Sequence, residues 1–532
     1  VVGVSGEAVA HPGGVQRERS APPHRGALLV CGTASDAGKS LVTAGICRSL
    51  ARRGVRVAPF KAQNMSNNSA VTASGAEIGR AQAMQAAACG IEPEAAMNPV
   101  LIKPAGETSS QVLLMGTPYA DATARSYQGL AGSLRQPVLD ALDSLRARFD
   151  AVICEGAGSP AEINLRDRDL ANLGLARAAG LPVVLVGDID RGGVFASLVG
   201  TLAVLDTEDQ RHIAAFLINK FRGDAAVLAP GLEMVYDLTG RRAIGVLPWR
   251  EGLWLDAEDS LALEAPALAP TPAVGRDTLD VAVVRLRWMS NFTDLDALAA
   301  EPGVAVRYTR SPADIERADL VVIPGTKTTV ADLESLRDDG LDMALAGRAA
   351  SGGPILGICG GYQLLGRRIA DTVESCVGVV DGLGLLPVET VFTTNKLLRR
   401  QCGTAAPWLG GAAASGYEIR HGDPRPCGGG EPFLTTAAGE PEGCVAGAVL
   451  GTSWHGLLEG DAIRRALLAW VAAERGRDWR PGDVAFSDVR ERRLDLLGDL
   501  IDEHVDRDAL DALLAGGAPD DLPTLDLQRT AA

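Results

Sequence analysis

The apolar run Ala27-Leu28-Leu29-Val30-Cys31 passes directly into Gly32-Thr33-Ala34-Ser35-Asp36-Ala37-Gly38-Lys39-Ser40. A short buried strand, a glycine-rich turn and a helix opening at Lys39 make a phosphate loop. Gly32, Thr33 and Gly38 let backbone N–H groups close around phosphate oxygens, and the helix N-terminus adds the positive end of its dipole. Lys39 is placed to neutralise the β- and γ-phosphates, and the Ser40 hydroxyl to bind Mg²⁺. The expected nucleotide is ATP. The loop is one residue longer than the spacing G-x-x-x-x-G-K-[ST].

Outward from this loop the pattern repeats. A helical pattern runs from Lys39 to about Arg53, followed by buried-strand candidates at Val55 to Phe60, Ala151 to Cys154, Leu181 to Gly187 and Ile213 to Asn219. Short apolar runs alternating with helices read as a parallel α/β sheet. Ligands in such sheets sit at the carboxyl ends of strands, which singles out two residues. Glu155 follows the strand Ala151 to Cys154, within reach of a metal held by Ser40. Asn219 ends another strand, where an amide can read the adenine edge.

The stretch Ala265-Pro266-Ala267-Leu268-Ala269-Pro270-Thr271-Pro272 lies in a linker placed at 263–278. A second α/β series begins beyond it, with strands expected at Val281 to Arg285, Leu320 to Pro324, Pro354 to Cys359 and Ala448 to Leu450. The fold class is therefore α/β, with two doubly wound domains over 26–262 and 279–475. Residues 1–25 read as a disordered extension without the apolar core of a signal peptide. Residues 476–532 read as a charged helical tail, with Leu494, Leu496, Leu497, Leu500 and Ile501 at amphipathic spacing.

Composition narrows the function. With 532 residues the chain is too long for one core. A net charge of −16 argues against nucleic-acid binding. No apolar run reaches bilayer-spanning length. The nine cysteines are scattered and never form C-x-x-C, which fits a reducing cytoplasm better than a disulfide framework or a zinc site.

One cysteine stands apart. In Gly357-Ile358-Cys359-Gly360-Gly361-Tyr362-Gln363 an apolar strand runs into a thiol flanked by small residues and then into a helix. Such a turn exposes the sulfur, and the helix N-terminus favours the thiolate. Gly360 offers an N–H to an oxyanion, and Gly325, in the strand-end turn Pro324-Gly325-Thr326-Lys327, could offer the second. His455 ends a late strand and is placed as general base. The other eight cysteines are expected to be buried and inert.

These motifs resemble known families. The longer phosphate loop and the Glu155-Gly156-Ala157-Gly158 turn resemble dethiobiotin synthetase and its relatives, which activate carboxylates with ATP. The resemblance implies that Glu155 is a Mg²⁺ ligand. The setting of Cys359 resembles class I glutamine amidotransferases, which release ammonia from glutamine through a γ-glutamyl thioester. Most of those carry Glu two residues after the His. Leu457 stands there in this chain, as in the cobalamin-type branch, which is described by Cys and His alone. The two halves together resemble the cobyric acid synthase family over nearly the whole chain. The matching stretches include Pro59 to Asn68, Glu77 to Gln82, Met97 to Pro104, Gly158 to Asp169, Gly187 to Phe195 and Ser290-Asn291-Phe292-Thr293-Asp294. That family amidates the b, d, e and g carboxylates of adenosylcobyrinic acid a,c-diamide to give adenosylcobyric acid, with one ATP and one glutamine per amide. The resemblance implies an amide synthetase domain over 26–262 and a glutamine amidotransferase domain over 279–475. It also implies a small corrinoid substrate met by Lys61, Gln63, Asn64 and Asp169. Cobyrinic acid a,c-diamide synthase shares both domains but lacks the Gln63-Asn64-Met65 type of stretch. One departure falls in Gly416-Tyr417-Glu418-Ile419-Arg420-His421-Gly422, where Arg420 holds a place usually taken by His.

Overall fold

The structure, a computed structural model, describes residues 26–250 and 271–526. The expected extension 1–25 and the first part of the expected linker lie outside the described residues.

Each half is built on its own parallel sheet. In the N-terminal half the strands run in the order Ala243–Pro248, Ile213–Phe221, Val183–Asp188, Gly26–Gly32, Ala151–Glu155 and Val57–Phe60, all parallel. The phosphate-loop strand Gly26–Gly32 is central, so its residues are screened on both faces. Leu28, Leu29, Val30 and Cys31 have no exposed surface, which is why the run is continuously apolar rather than alternating. The C-terminal half repeats the plan with Val304–Thr309, Leu279–Val284, Leu320–Ile323, Ile355–Ile358, Val449–Thr452 and Cys444–Ala446; only the last pairs antiparallel. In both sheets the residues of interest sit where the strand ends.

Two elements were not foreseen. A smaller sheet of Gln63–Met65, Val100–Pro104, Ser109–Leu114 and Thr117–Thr123 flanks the N-terminal half. A long antiparallel ribbon of Val388–Ala405 and Ala413–Pro426 projects from the C-terminal half. Leu398, Tyr417 and Ile419 from this ribbon pack into the hydrophobic core of the N-terminal half. The two halves therefore share apolar packing.

The tail helix Phe486–His504 also returns to the N-terminal half and lies along the phosphate-loop helix Lys39–Arg52. Leu494, Leu497, Leu500 and Ile501 are buried there with Ile46 and Leu50. Leu496, on the same heptad-like run, is 49% exposed. Close approach is possible because Gly45 carries no side chain: a Cβ there would lie 2.8 Å from the Leu497 carbonyl oxygen. Charge is complementary across the contact, with Arg48 Nε donating to Asp495 Oδ1 at 2.9 Å and Arg52 Nη1 to Asp499 Oδ1 at 2.7 Å. These ion pairs are partly exposed and contribute little; buried leucine carries the contact. Among the described residues no helix is long and apolar enough to cross a membrane.

Candidate active sites

At the first site the phosphate loop curls over the end of Gly26–Gly32. Gly38 holds φ 92°, a left-handed conformation in which a side chain would be strained, and a Cβ there would strike Asn219 Nδ2. Lys39 is buried and donates to the carbonyl oxygens of Ala34 at 3.0 Å, Ser35 at 3.1 Å and Gly158 at 3.0 Å. The ammonium is thus held over the loop. Glu155, fully buried at the end of its strand, accepts from Ser40 Oγ at 2.8 Å and Lys61 Nζ at 2.9 Å on Oε1, and from Gln85 Nε2 at 2.5 Å on Oε2. Burial pushes its pKa up. The Lys61 charge and the three hydrogen bonds outweigh that, and the net shift is downward.

Three sequence expectations meet a different geometry here. The Asn219 amide does not face outward to read a base: Nδ2 donates to Ala37 O and Oδ1 accepts from Lys220 N, each at 2.9 Å. It props the loop from beneath. Asp169, expected to meet the corrinoid, is engaged by the backbone. Its carboxylate accepts from the backbone N–H groups of Ala171 at 2.9 Å, Asn172 at 2.7 Å and Gly174 at 2.8 Å, capping the helix Leu173–Ala179. Arg166 pairs instead with Asp209, Nη2 to Oδ1 at 2.6 Å. Gln63 accepts from Tyr127 OH at 2.5 Å, and Asn64 Nδ2 donates to Gln82 Oε1 at 2.9 Å. Of the expected corrinoid contacts, only Lys61 reaches the phosphate site.

At the second site Cys359 joins the strand Ile355–Ile358 to the helix Gly360–Leu365 at φ 49°, ψ −105°. Backbone strain of this kind belongs to functional turns. It is tolerated because neighbours are small: a Cβ at Gly360 would lie 2.8 Å from Thr326 N, and one at Gly325 would lie 2.8 Å from His455 Cε1. Both glycines thus border the site. His455 is buried, lines the same cavity as Cys359, and its Nδ1 lies 2.7 Å from Asp294 Oδ2. Asp294 Oδ1 also accepts from Gly456 N at 2.8 Å. Burial alone would lower the imidazole's pKa. The charge on Cys359, then that on Asp294, overcomes this and pushes it up to about 10.

Asp294 is the residue that sequence reasoning missed. It lies in the matching stretch Ser290 to Asp294, far from His455 in the chain, and no local spacing connects the two. Glu459 is turned away from the triad, held between Arg80 and Arg490; both charges pull its pKa down to about 2 against burial. Leu457 is buried in the core. The cysteine expectation also needs correction: Cys376, Cys402 and Cys427 are exposed.

The elements that carry the triad dock on the other half. Asn291 Nδ2 donates to Ser69 O at 2.9 Å and to Tyr417 OH at 3.0 Å, and Phe292 N donates to Asn68 Oδ1 at 3.2 Å. Tyr417 stacks on the His455 ring, centroids 5.7 Å apart. A cavity of about 40 Å³ opens beside Cys359, with Lys327, Gln363, Arg420, His421, Lys396 and, from the N-terminal half, Lys103 in its wall. Arg420 and His421 both face this space; Arg420 is tied to Glu418 Oε1 at 2.9 Å.

A strained thiol turn with a His–Asp partner on one sheet, and a phosphate loop with a buried carboxylate on the other, define a glutamine amidotransferase joined to a P-loop nucleotide-binding domain. Residues 280–463 match the CobB/CobQ-like glutamine amidotransferase domain, and residues 28–262 match the CobQ/CobB/MinD/ParA nucleotide binding domain. Whole-length relatives narrow this further. The chain is 58% identical over 518 residues to cobyric acid synthase of Frankia casuarinae, covering 94% of this chain and 98% of that protein. It is 57% identical over 504 residues to that of Saccharopolyspora erythraea, covering 94% and 96%, and 58% identical over 504 residues to that of Streptomyces coelicolor, covering 94% and 98%. The chain belongs to the cobyric acid synthase family and is an enzyme of the amidotransferase type.

Proposed function

We propose that the protein amidates the b, d, e and g carboxylates of adenosylcobyrinic acid a,c-diamide to give adenosylcobyric acid, using ATP and glutamine. The observation that carries this reading is that a wall residue of the Cys359 cavity, Lys103, comes from the half that bears the phosphate loop. The two chemistries are thereby joined inside one chain.

At the glutaminase site the Cys359 thiolate attacks the γ-amide carbon. The backbone N–H groups of Gly360 and Gly325 are assigned to the developing oxyanion. His455, protonated and steadied by Asp294, passes its proton to the departing nitrogen, which leaves as NH₃. Water then hydrolyses the γ-glutamyl thioester to glutamate.

At the synthetase site the acceptor carboxylate takes the γ-phosphoryl group of ATP, giving an acyl phosphate that NH₃ can attack. Lys39 neutralises charge on the transferred group. Ser40 Oγ and Glu155 Oε1, hard oxygen donors 2.8 Å apart, fit Mg²⁺, which is held by few protein oxygens and by phosphates. When bound, the ion would supply charge neutralisation during phosphoryl transfer. Lys61, bonded to Glu155 and lying in the stretch that leads to the smaller sheet, is assigned the role of drawing the acceptor carboxylate toward the phosphate.

The test is stoichiometry. ADP and glutamate should form in equal amounts, and only with the corrinoid present. ADP formation indifferent to the corrinoid would remove the acceptor from the reading.

A further inference from the structure

The cavity beside Cys359 has to take a zwitterion. Glutamine carries an α-ammonium and an α-carboxylate at the end opposite its γ-amide, and the chemistry at Cys359 uses only the amide. The wall is strongly cationic, with Lys103, Lys327, Lys396 and Arg420. Among the described residues a single carboxylate, Glu374, lines it. The four cations are not equivalent. Lys103 and Lys396 each donate to Glu77 at 2.5 Å, and Arg420 Nε donates to Glu418 Oε1 at 2.9 Å. Glu77 and Glu418 are buried and lie outside the cavity lining. Of the four, Lys327 is the one paired with a carboxylate that shares the wall: its Nζ meets Glu374 Oε1. The two side chains are 10% and 19% exposed, so a ligand can reach both.

Both ends of the pair are held in place. Lys327 follows Gly325–Thr326, and its backbone N donates to Trp288 O at 3.0 Å. Glu374 sits in the turn after the strand Arg368–Asp371. Asp371, itself buried, gathers that turn: Oδ1 accepts from Val373 N at 3.0 Å and Glu374 N at 2.8 Å, and Oδ2 from Ser375 N at 2.8 Å. Neutral acceptors around the cavity are already engaged. Gly422 O accepts from Arg420 Nη1 at 2.8 Å, Gln363 Oε1 from Thr329 Oγ1 at 3.2 Å, and Asn291 Oδ1 from Ser69 N at 3.2 Å. An incoming ammonium therefore meets its opposite charge at Glu374.

We propose that Lys327 and Glu374 read the amino-acid head of glutamine, Glu374 taking the α-ammonium and Lys327 the α-carboxylate. This deepens the glutaminase half of the proposed function and rests on it. Paired with each other, the two side chains cancel charge, so neither is left unpaired away from water. The zwitterion offers the same two charges in the complementary order. The pair opens, and each partner exchanges one opposite charge for another. A site that hydrogen-bonds both head groups rejects an amide that lacks either one. The pair thus sets specificity and leaves bond breaking to Cys359 and His455.

The test uses two truncated amides as competitive inhibitors of glutamate release by the full-length enzyme. 4-Carbamoylbutanoate keeps the carboxylate and lacks the ammonium; 4-aminobutanamide keeps the ammonium and lacks the carboxylate. Glu374→Gln should raise the glutamine KM and the Ki of 4-aminobutanamide about tenfold or more, while the Ki of 4-carbamoylbutanoate moves by less than about threefold. Lys327→Met should show the reverse preference between the two inhibitors. In both variants KM should rise by more than kcat falls, and ammonia-dependent amidation should persist. Both Ki values moving together in each variant would overturn the proposal, because lost packing does not tell one head group from the other. So would an unchanged glutamine KM in both variants, or a loss of ammonia-dependent amidation in both, which would assign the pair to holding the fold. Wild-type enzyme that releases no glutamate from glutamine overturns the glutaminase reading itself.

Discussion

Replacing Asp294 with Asn probes the one catalytic partner that no motif announced. Asp294 does two things: Oδ2 meets His455 Nδ1 at 2.7 Å, and Oδ1 accepts from Gly456 N at 2.8 Å. Asparagine keeps the second bond, so the loop after His455 stays in place, and removes the negative charge from the first. A hydrogen bond to a charged group contributes about 1.5–3 kcal/mol, which at about 1.36 kcal/mol per decade is roughly a ten- to 150-fold loss of glutaminase kcat/KM. The pH profile should move as well. His455 is pushed up to about 10 by the charges on Cys359 and Asp294 against burial. A group with a raised pKa keeps its proton below that value and loses it above, so the His455 imidazolium persists through neutral pH and is lost on the alkaline side. Without the Asp294 charge the pKa falls, and the alkaline limb of kcat/KM should shift to lower pH. Initial rates of glutamate release across pH, with ammonia-dependent amidation as control, report both effects. Unchanged kcat/KM together with an unmoved alkaline limb would refute the triad.

Other substitutions separate the two sites. Cys359→Ala should abolish glutamine-dependent amidation and leave ammonia-dependent amidation, read by corrinoid product; failure of high ammonia to rescue would break the two-site scheme. Lys39→Ala should slow amidation from either nitrogen source by about two orders of magnitude, with near-normal ammonia-dependent rates as the contrary result. Asp169→Asn should lower stability by about 1–2 kcal/mol through weakened N–H contacts to Ala171, Asn172 and Gly174, seen as a lower denaturation midpoint. The KM for the corrinoid should hardly change; a strong effect on it without a stability change would return Asp169 to the substrate site.

The fold was legible where burial is complete. Leu28 to Cys31, Val183 to Val186 and Leu320 to Ile323 are screened on both faces, so they appear in sequence as unbroken apolar runs that cannot be surface structure. The ribbon Val388–Ala405 was not legible, because its side chains are largely exposed or half-buried and Lys396, Arg399 and Arg400 interrupt the alternation. Its partner is the other half, which local pattern does not reveal. The same contrast holds for the sites. Lys39, Ser40 and Cys359 act from tight turns whose glycines mark them. Asp294 and Gln85 act through tertiary contacts. Asn219 and Asp169 sit at strand and helix ends, where a polar side chain can equally face a ligand or satisfy the backbone. Only the hydrogen bonds to Ala37 O and to the Ala171, Asn172 and Gly174 N–H groups decide between those jobs.

The most direct measurement is the mass of the corrinoid after adenosylcobyrinic acid a,c-diamide is incubated with the enzyme, ATP, Mg²⁺ and glutamine. The expected product carries four new amides, with none formed when ATP is omitted. A product with fewer amides at completion, or a corrinoid of unchanged mass while glutamine and ATP are consumed, would contradict the proposed reaction.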